Sequence, residues 1–360
     1  MVGIVMNNPY NKNKHNEKVN KCDGQATIEP SLFTVFKLAA QTNIDEAIEH
    51  TRQFCFQAAS DQTKRTGLEF LYAYGFLDDL NKLIEINIAT ENACNQQWAK
   101  LYQIIMERRQ KRLDPDAYMD KLSELSFDSA ELKCLRDFLY VYSYYERRQF
   151  HMLGNYLDPL LDRIYEIKDL MLKELFSIRL DEILMTYHWK RSEMIIARKH
   201  GYRILATTKN NRKKIDIHSN MALGYLFEDY EQAIHHAREA QKLADQIEFK
   251  PAINWLKEFT IPFISAYHRR TDGVTTNDKA EQAHLALANG DNETCIQILN
   301  EFAELSPFQQ YYLGKAMEDQ SLLQTSYNRF IHERNDYFFA KLPLKEMHRL
   351  ANREKRVHFK

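Results

Sequence analysis

Residues 279–307, KAEQAHLALANGDNETCIQILNEFAELSP, constrain what this chain can fold into more than any other stretch. Ala283 and Ala286 are small where two helix axes would cross closely, and Gly290 and Asp291 sit where the backbone must turn. Cys295, Leu299 and Phe302 then return at helical spacing before Pro307. Two helices joined by a tight turn need that order: small side chains at the crossing, Gly at the turn, larger apolar groups where the next pair stacks, and Pro to stop the second helix. The pattern predicts a unit of the tetratricopeptide (TPR) kind. Stacked helix pairs build a concave surface and supply no chemistry of their own, so the default function is binding.

The unit recurs in degenerate form. FEDYEQA at residues 227–233 repeats the turn, with Leu223 and Gly224 before it and Ala233 and Ala237 after it. A further copy is YYLGKA at 311–316, with Phe330 packing behind; from Ala283 to Gly314 is 31 residues, close to the TPR period. Only ten Gly and eight Pro occur in 360 residues, which leaves little material for strand turns. We therefore expect an all-α chain, a right-handed TPR-like helical solenoid over residues 31–350. A polar arm at 1–30 precedes it and a basic tail at 351–360 follows. Helical periodicity begins at Ser31 and predicts helices over 44–55, 66–74, 78–90, 96–110, 155–172, 174–189, 192–207 and 211–227. The break at Leu113, Asp114 and Pro115 starts a shorter helix at Pro115, where a missing N–H costs nothing.

Composition narrows the function classes. A net charge of -1 gives no bulk attraction to nucleic acid or membrane. The five cysteines, at 22, 55, 94, 134 and 295, are scattered and form no CxxC pair, so neither a disulfide frame nor a zinc site is expected. No apolar run reaches membrane-spanning length and residues 1–6 are too short for a signal peptide, so a cytoplasmic protein is expected. Phosphate-loop, HExxH, GxSxG and kinase signatures are all missing, and we expect neither enzyme activity nor a cofactor. His235 and His236 are adjacent on a helix and diverge by about 100°, which prevents them from chelating one metal together. They are expected at the surface or rim.

Two features point toward a ligand. Residues 132–145 carry Phe138, Tyr140, Tyr142, Tyr144 and Tyr145, which suits either a wide buried helix face or an aromatic wall facing a ligand. Residues 189–214 carry Lys190, Arg191, Arg198, Lys199, Arg203, Lys209, Arg212, Lys213 and Lys214 against Glu193 alone. That segment reads either as a solvated helical face or as a patch for a carboxylate, a phosphate backbone or an acidic partner. Arg suits a carboxylate because its planar fork grips both oxygens.

Several motifs, in the same order along residues 23–350, resemble the arbitrium receptors, the AimR-type regulators of temperate phages and prophages of spore-forming bacilli. They are LEF at 68–70, QWAKLY at 97–102, FEDYEQA at 227–233, YYLG at 311–314 and above all NDYFFAKLPL at 335–344. The resemblance implies an N-terminal helix-turn-helix domain, a TPR-like superhelix, and a short peptide in the groove that controls DNA binding and so the choice between lysis and lysogeny. Arg212 and Asp336 match charged groove residues of the family. Where the receptors present asparagines, this chain has Thr186, Lys190, Leu223 and Leu305; Asn donates and accepts at once, and Leu does neither. Only about 30 residues precede the first matching solenoid helix, with Asp23 and Gly24 resembling the end of the DNA-binding domain. The end of the chain, NREKRVHFK at 352–360, lacks the family's Leu-rich dimerising tail.

The expectation is a divergent relative of these receptors: a non-enzymatic regulator that binds a short peptide or protein through Arg212, Asp336, Thr186, Lys190, Leu223 and Leu305. Specific DNA binding is expected to be weak, with Lys190, Arg191, Arg198, Lys199, Arg203, Lys213 and Lys214 as the candidate patch if it occurs. A peptide-controlled transcription factor is the first alternative and a response-regulator-interacting protein of the Rap type the second.

Overall fold

Most helices of this chain start at a Ser, Asn or Asp. Ser31, Asn43, Ser60, Asn92, Asp114, Ser129, Asp169, Asn210, Asp229, Asp278, Asp291, Ser306 and Asp319 all accept a backbone N–H from the first turn that follows them. Such caps satisfy donors that a helix start otherwise leaves unpaired.

The computed structural model describes residues 29–110 and 114–358. The described residues form α-helices, one 3-10 segment (Phe150–Leu153), one π-helical segment (Leu256–Thr260) and connecting turns, with no strand. The first half comprises α1 (Leu32–Ala39), α2 (Ile44–Gln57), α3 (Asp61–Tyr74), α4 (Leu77–Ala89), α5 (Ala93–Arg109), α6 (Pro115–Ser123), α7 (Ala130–Glu146) and α8 (Gly154–Glu166). Then come α9 (Leu170–Lys190), α10 (Met194–Thr207), α11 (Asn211–Gly224), α12 (Tyr230–Gln246), α13 (Lys250–Trp255) and α14 (Ile261–Tyr267). The chain closes with α15 (Lys279–Ala288), α16 (Asn292–Asn300), α17 (Pro307–Ala316), α18 (Gln320–His332) and α19 (Lys341–His358). Sequential neighbours pack in pairs, as α9 with α10, α11 with α12, α15 with α16 and α17 with α18. The result is a TPR-like helical solenoid.

Two apolar cores run along it. One gathers residues from Leu32 to Ile183, and the other residues from Trp189 to Leu350. Helix α9 passes from the first to the second, and Met185, Ile204, Ile217 and Met221 fill the space between. Gly201 allows that filling, since a Cβ there would come 2.7 Å from the Met221 sulfur.

The 279–307 unit has the expected helix pair, with its Gly doing a specific job. Asp291 N–H donates to the Ala286 carbonyl at 2.9 Å and Gly290 N–H to that of Leu287 at 3.2 Å, a Schellman ending for α15. Gly290 takes the left-handed φ of 84° this requires, and Asp291 at once caps α16. Pro307, by contrast, does not stop the second helix: α16 ends at Asn300, and Pro307 opens α17 behind the Ser306 and Gln309 capping box. A proline at that first position loses no hydrogen bond, so its sequence signal marks a start as well as an end. The helices expected at 155–172 and 174–189 also divide elsewhere, because Asp169 caps α9 and places the break before Leu170.

His235 lies exposed as expected, but His236 is only 3 % exposed. Its Nδ1 meets His218 Nδ1 at 2.9 Å and its Nε2 meets the Tyr202 hydroxyl at 3.2 Å, which ties α10, α11 and α12 together. Residues 351–358 continue α19 without a break, and Arg353 reaches back to Glu318 at 2.7 Å. Residues 1–28, with the polar arm, Cys22, Asp23 and Gly24, lie outside the described residues.

Two predictions test this architecture. A Cβ at Gly290 meets nothing within 4 Å, so Gly290→Val acts through backbone strain and not through a clash. It should cost about 1–2 kcal/mol in chemical denaturation, and Gly290→Asn, which tolerates the left-handed region, distinctly less. Burial, with His218 and His235 nearby, holds His236 down to about 4, against an ordinary 6.5. The unfolded chain therefore takes up a proton that the folded one refuses: stability is full above about pH 6.5 and falls as pH drops toward 4. His236→Gln should flatten that fall by up to roughly 3 kcal/mol.

Candidate functional site

Helices α3 and α9 each carry one charge where periodicity calls for an apolar side chain. Glu69 lies among Leu68, Phe70 and Leu71, and Arg179 continues the stripe of Leu172, Leu175 and Phe176; they are 0 % and 4 % exposed. They meet in the fold. Arg179 Nε donates to Glu69 Oε1 at 2.8 Å and Nη2 to Oε2 at 2.6 Å, a bidentate pair. The Tyr102 hydroxyl from α5 donates to the same carboxylate, and the guanidinium sits 4.2 Å from the centre of the Tyr72 ring. Burial pushes the Glu69 carboxyl above its usual range, with Arg179 and Tyr102 pulling against that shift. Burial also raises the Tyr72 hydroxyl, but the cations Arg179, Arg108 and Lys213 outweigh it and bring it below its usual range.

This network forms part of the wall of a cavity of about 430 Å³ bounded by α1, α3, α5, α7, α9, the end of α10 and α11. Tyr142 and Tyr145 reach it from α7, Glu182 and Thr186 from α9, and Arg212, Lys213 and Asp216 from α11. Asn210 secures one end by donating to the Ala73 carbonyl at 2.5 Å. The aromatic helix divides its rings among different faces. Phe138 is core, Tyr140 and Tyr144 lie against Tyr156 of α8, and Tyr142 and Tyr145 face the cavity.

Of the candidate peptide-binding and basic-patch residues, Thr186, Arg212 and Lys213 line this cavity, and the others are placed elsewhere. Arg212 is exposed, with its guanidinium 4.9 Å from the Phe249 ring centre. Lys190 and Asp336 pair with one another at 2.5 Å, near the rings of Trp189, Phe150 and Phe339. Asp336 also accepts from the Phe339 N–H at 3.1 Å, and Tyr337 N–H donates to the Lys190 carbonyl at 2.9 Å. Leu223 and Leu305 pack half-buried against the C-terminal core.

Much of the charge in the 189–214 segment is neutralised, by Glu193 within it and by acids outside it that a reading of the segment alone does not count. Arg191 pairs with Glu193 at 2.9 Å, Arg198 with Glu228 at 2.7 Å, Arg203 with Asp181 at 2.9 Å, and Lys213 with Glu182. Lys199 stays exposed and Lys214 half-buried, neither with an ion-pair partner among the described residues. Among the described residues no group of three His, Cys, Asp or Glu could hold a metal ion, and no helix is long and apolar enough to cross a membrane. Cys55 and Cys134 are pushed up to about 12 and Cys295 to about 11 by burial, which keeps these thiols protonated. Sequence reading missed Glu69, Arg179, Tyr102 and Asp216. The available signal was a single charge on an otherwise apolar helix stripe.

Arg179→Met should leave the Glu69 carboxylate buried without a counter-charge and destabilise the fold by about 3–5 kcal/mol in urea or guanidinium titration. Adding Glu69→Gln to it should recover much of that loss.

A profile of the family described as AimR transcriptional regulator-like matches residues 47–349. The AimR transcriptional regulator of Bacillus phage phi3T is 21 % identical over 290 residues, covering 76 % of this chain and 74 % of the relative. That of Bacillus phage SPbeta is 20 % identical over 323 residues, covering 86 % and 83 %. An uncharacterized protein of Bacillus anthracis is 27 % identical over 256 residues, covering 66 % of this chain and 94 % of its own length. The solved structure of phAimR with its ligand superposes with a TM-score of 0.72 at 18 % identity, over 90 % of this chain and 98 % of that one. Profile, relatives and fold agree: this chain belongs to the AimR transcriptional regulator-like family.

Proposed function

We propose that the chain is a regulator of the phage lysis–lysogeny decision that acts by binding a short peptide, or an extended segment of a protein partner, in the cavity between α3, α7, α9 and α11. The observation that carries this reading is the cavity itself. Its volume of about 430 Å³ falls in the range of ligand sites. Its wall combines tyrosine rings with a charged network rigidly held by Glu69 and Arg179. Rigid polar groups beside aromatic surface suit a ligand that has both a backbone and side chains, because they hold its amides without first having to become ordered. The family's name, and a solved relative described with a ligand, support the same reading.

A peptide-controlled transcription regulator is the second reading, favoured by the printed name of the phage relatives. Segment 190–214 is a poor candidate for its DNA contact, since Lys190, Arg191, Arg198, Arg203 and Lys213 are already paired with acids. Paired cations release few counterions to a phosphate backbone.

Isothermal titration of hexapeptides with free carboxyl termini tests the proposal. Arg212→Ala should weaken binding by about 1.5–3 kcal/mol, the range for a hydrogen bond to a charged group. Asp336→Asn should instead lower the thermal midpoint and leave affinity nearly unchanged, because Asp336 is already engaged by Lys190. No binding across the panel, together with a co-purifying protein, would favour a protein partner over a peptide.

A further inference from the structure

Two helices present large apolar side chains to solvent away from the cavity, and each apolar stripe is bordered by charge of one sign. On α8, Leu161 and Tyr165 are one turn apart and both exposed, Tyr165 at 81 %. Asp158, Asp162 and Glu166 follow the same spacing, all exposed and none with an ion-pair partner among the described residues. Residues one turn apart share a helix face, so the apolar and acidic rows lie side by side. Lys173 of α9 donates to the Tyr165 carbonyl at 2.8 Å, with its ammonium 4.9 Å from the ring centre, and so backs that ring. Lys168 is the only exposed cation between residues 155 and 170.

On α10 the stripe is Ile195, Lys199 and Tyr202, with Ile196 and Arg203 along one edge. Ile195 is 81 % exposed. The Tyr202 hydroxyl meets the Tyr225 hydroxyl at 2.9 Å and His236 Nε2 at 3.2 Å, which holds its ring in place. Lys199 has no ion-pair partner among the described residues. Arg203 is half exposed and pairs with a buried carboxylate, Asp181, that His200 also engages, so the charge turned outward is positive. A phosphate backbone would use these cations and leave Ile195 and Ile196 in water. An apolar face bordered by carboxylates answers both features at once.

We infer that copies of this chain associate head to tail, the acidic α8 face of one seated on the basic α10 face of the next. Leu161 and Tyr165 then cover Ile195 and Tyr202, and the carboxylates face Lys199 and Arg203. A symmetric contact is disfavoured because α10 on α10 opposes cation to cation, and α8 on α8 opposes carboxylate to carboxylate. Contact between unlike faces leaves one of each kind open at the ends, so it extends into a ring or a chain. None of these residues lines the cavity, so the contact leaves the groove free.

Sedimentation velocity on the full chain, from about 5 to about 500 µM, is the test, because faces of one helix each associate weakly. The average mass of wild type should grow with concentration at low salt, and less in about 0.5 M salt, where exposed charges are screened. Ile195→Asp should abolish the growth, and Lys199→Glu or Asp162→Lys alone should weaken association by at least about fivefold. Lys199→Glu and Asp162→Lys in one chain should restore it, as should an equal mixture of the two single variants. Lys257→Glu, an exposed reversal outside both faces, should change nothing. The substituted residues are exposed and unpaired among the described residues, so every variant should keep the wild-type circular dichroism and thermal midpoint. A wild type of constant mass across that range overturns the inference and leaves the two faces to other proteins. Growth that persists in Ile195→Asp, or that the paired reversal fails to restore, overturns it in favour of a different surface.

Discussion

The pairing of Glu69 with Arg179 is the constraint on which the rest of the N-terminal half depends. Two charges removed from water demand close geometry, and breaking such a pair leaves one of them stranded at a cost of several kcal/mol. Here the pair is bidentate, a third donor comes from Tyr102, and the Tyr72 ring covers the guanidinium. The partners come from α3, α5 and α9, which lie far apart in sequence. Their positions are therefore coupled, and the cavity beside them inherits a fixed wall. A well-packed apolar cluster of similar volume can be equally stable, so the consequence of the pair is one of geometry more than of net stability.

Helix α9 carries that geometry into the second half. Arg179 holds it to α3, Thr186 lies along the cavity, and Lys190 at its last turn meets Asp336. The 335–340 turn is thereby fastened to the middle of the chain, 146 residues away in sequence. The same placement changes the meaning of the basic segment. Beyond the Arg191–Glu193 pair, charges that look unopposed along the segment find Asp181, Glu182, Glu228 and Asp336 in space. Among the described residues Lys199, Lys209, Arg212 and Lys214 of this segment are left without an ion-pair partner, and of the segment's cations Arg212 and Lys213 line the cavity.

Helix identity was legible because its causes are local. The Ser, Asn and Asp caps, the small residues of the 279–307 unit and the Gly290 turn all act within a few residues, and each is found where its chemistry predicts. Pro307 shows the limit of such signals: one residue type suits both the end of a helix and the first turn of the next. His236 shows another, since its burial depends on His218 and Tyr202 on neighbouring helices. The aromatic helix at 130–146 offered two readings because its rings point to more than one side, and only the positions of its neighbours divide them.

By itself the sequence determined the fold class, the pairing of consecutive helices and, through collinear motifs, the family, because periodicity and capping are properties of short segments. Which charges cancel and which remain available was decided only by the tertiary structure. Asp216 and Asp336 look alike along the chain, yet one is engaged by a lysine 146 residues away and the other is left facing a cavity. Electrostatic interactions act through space between groups that sequence spacing does not relate, so the candidate site appears only once the solenoid has brought its helices together.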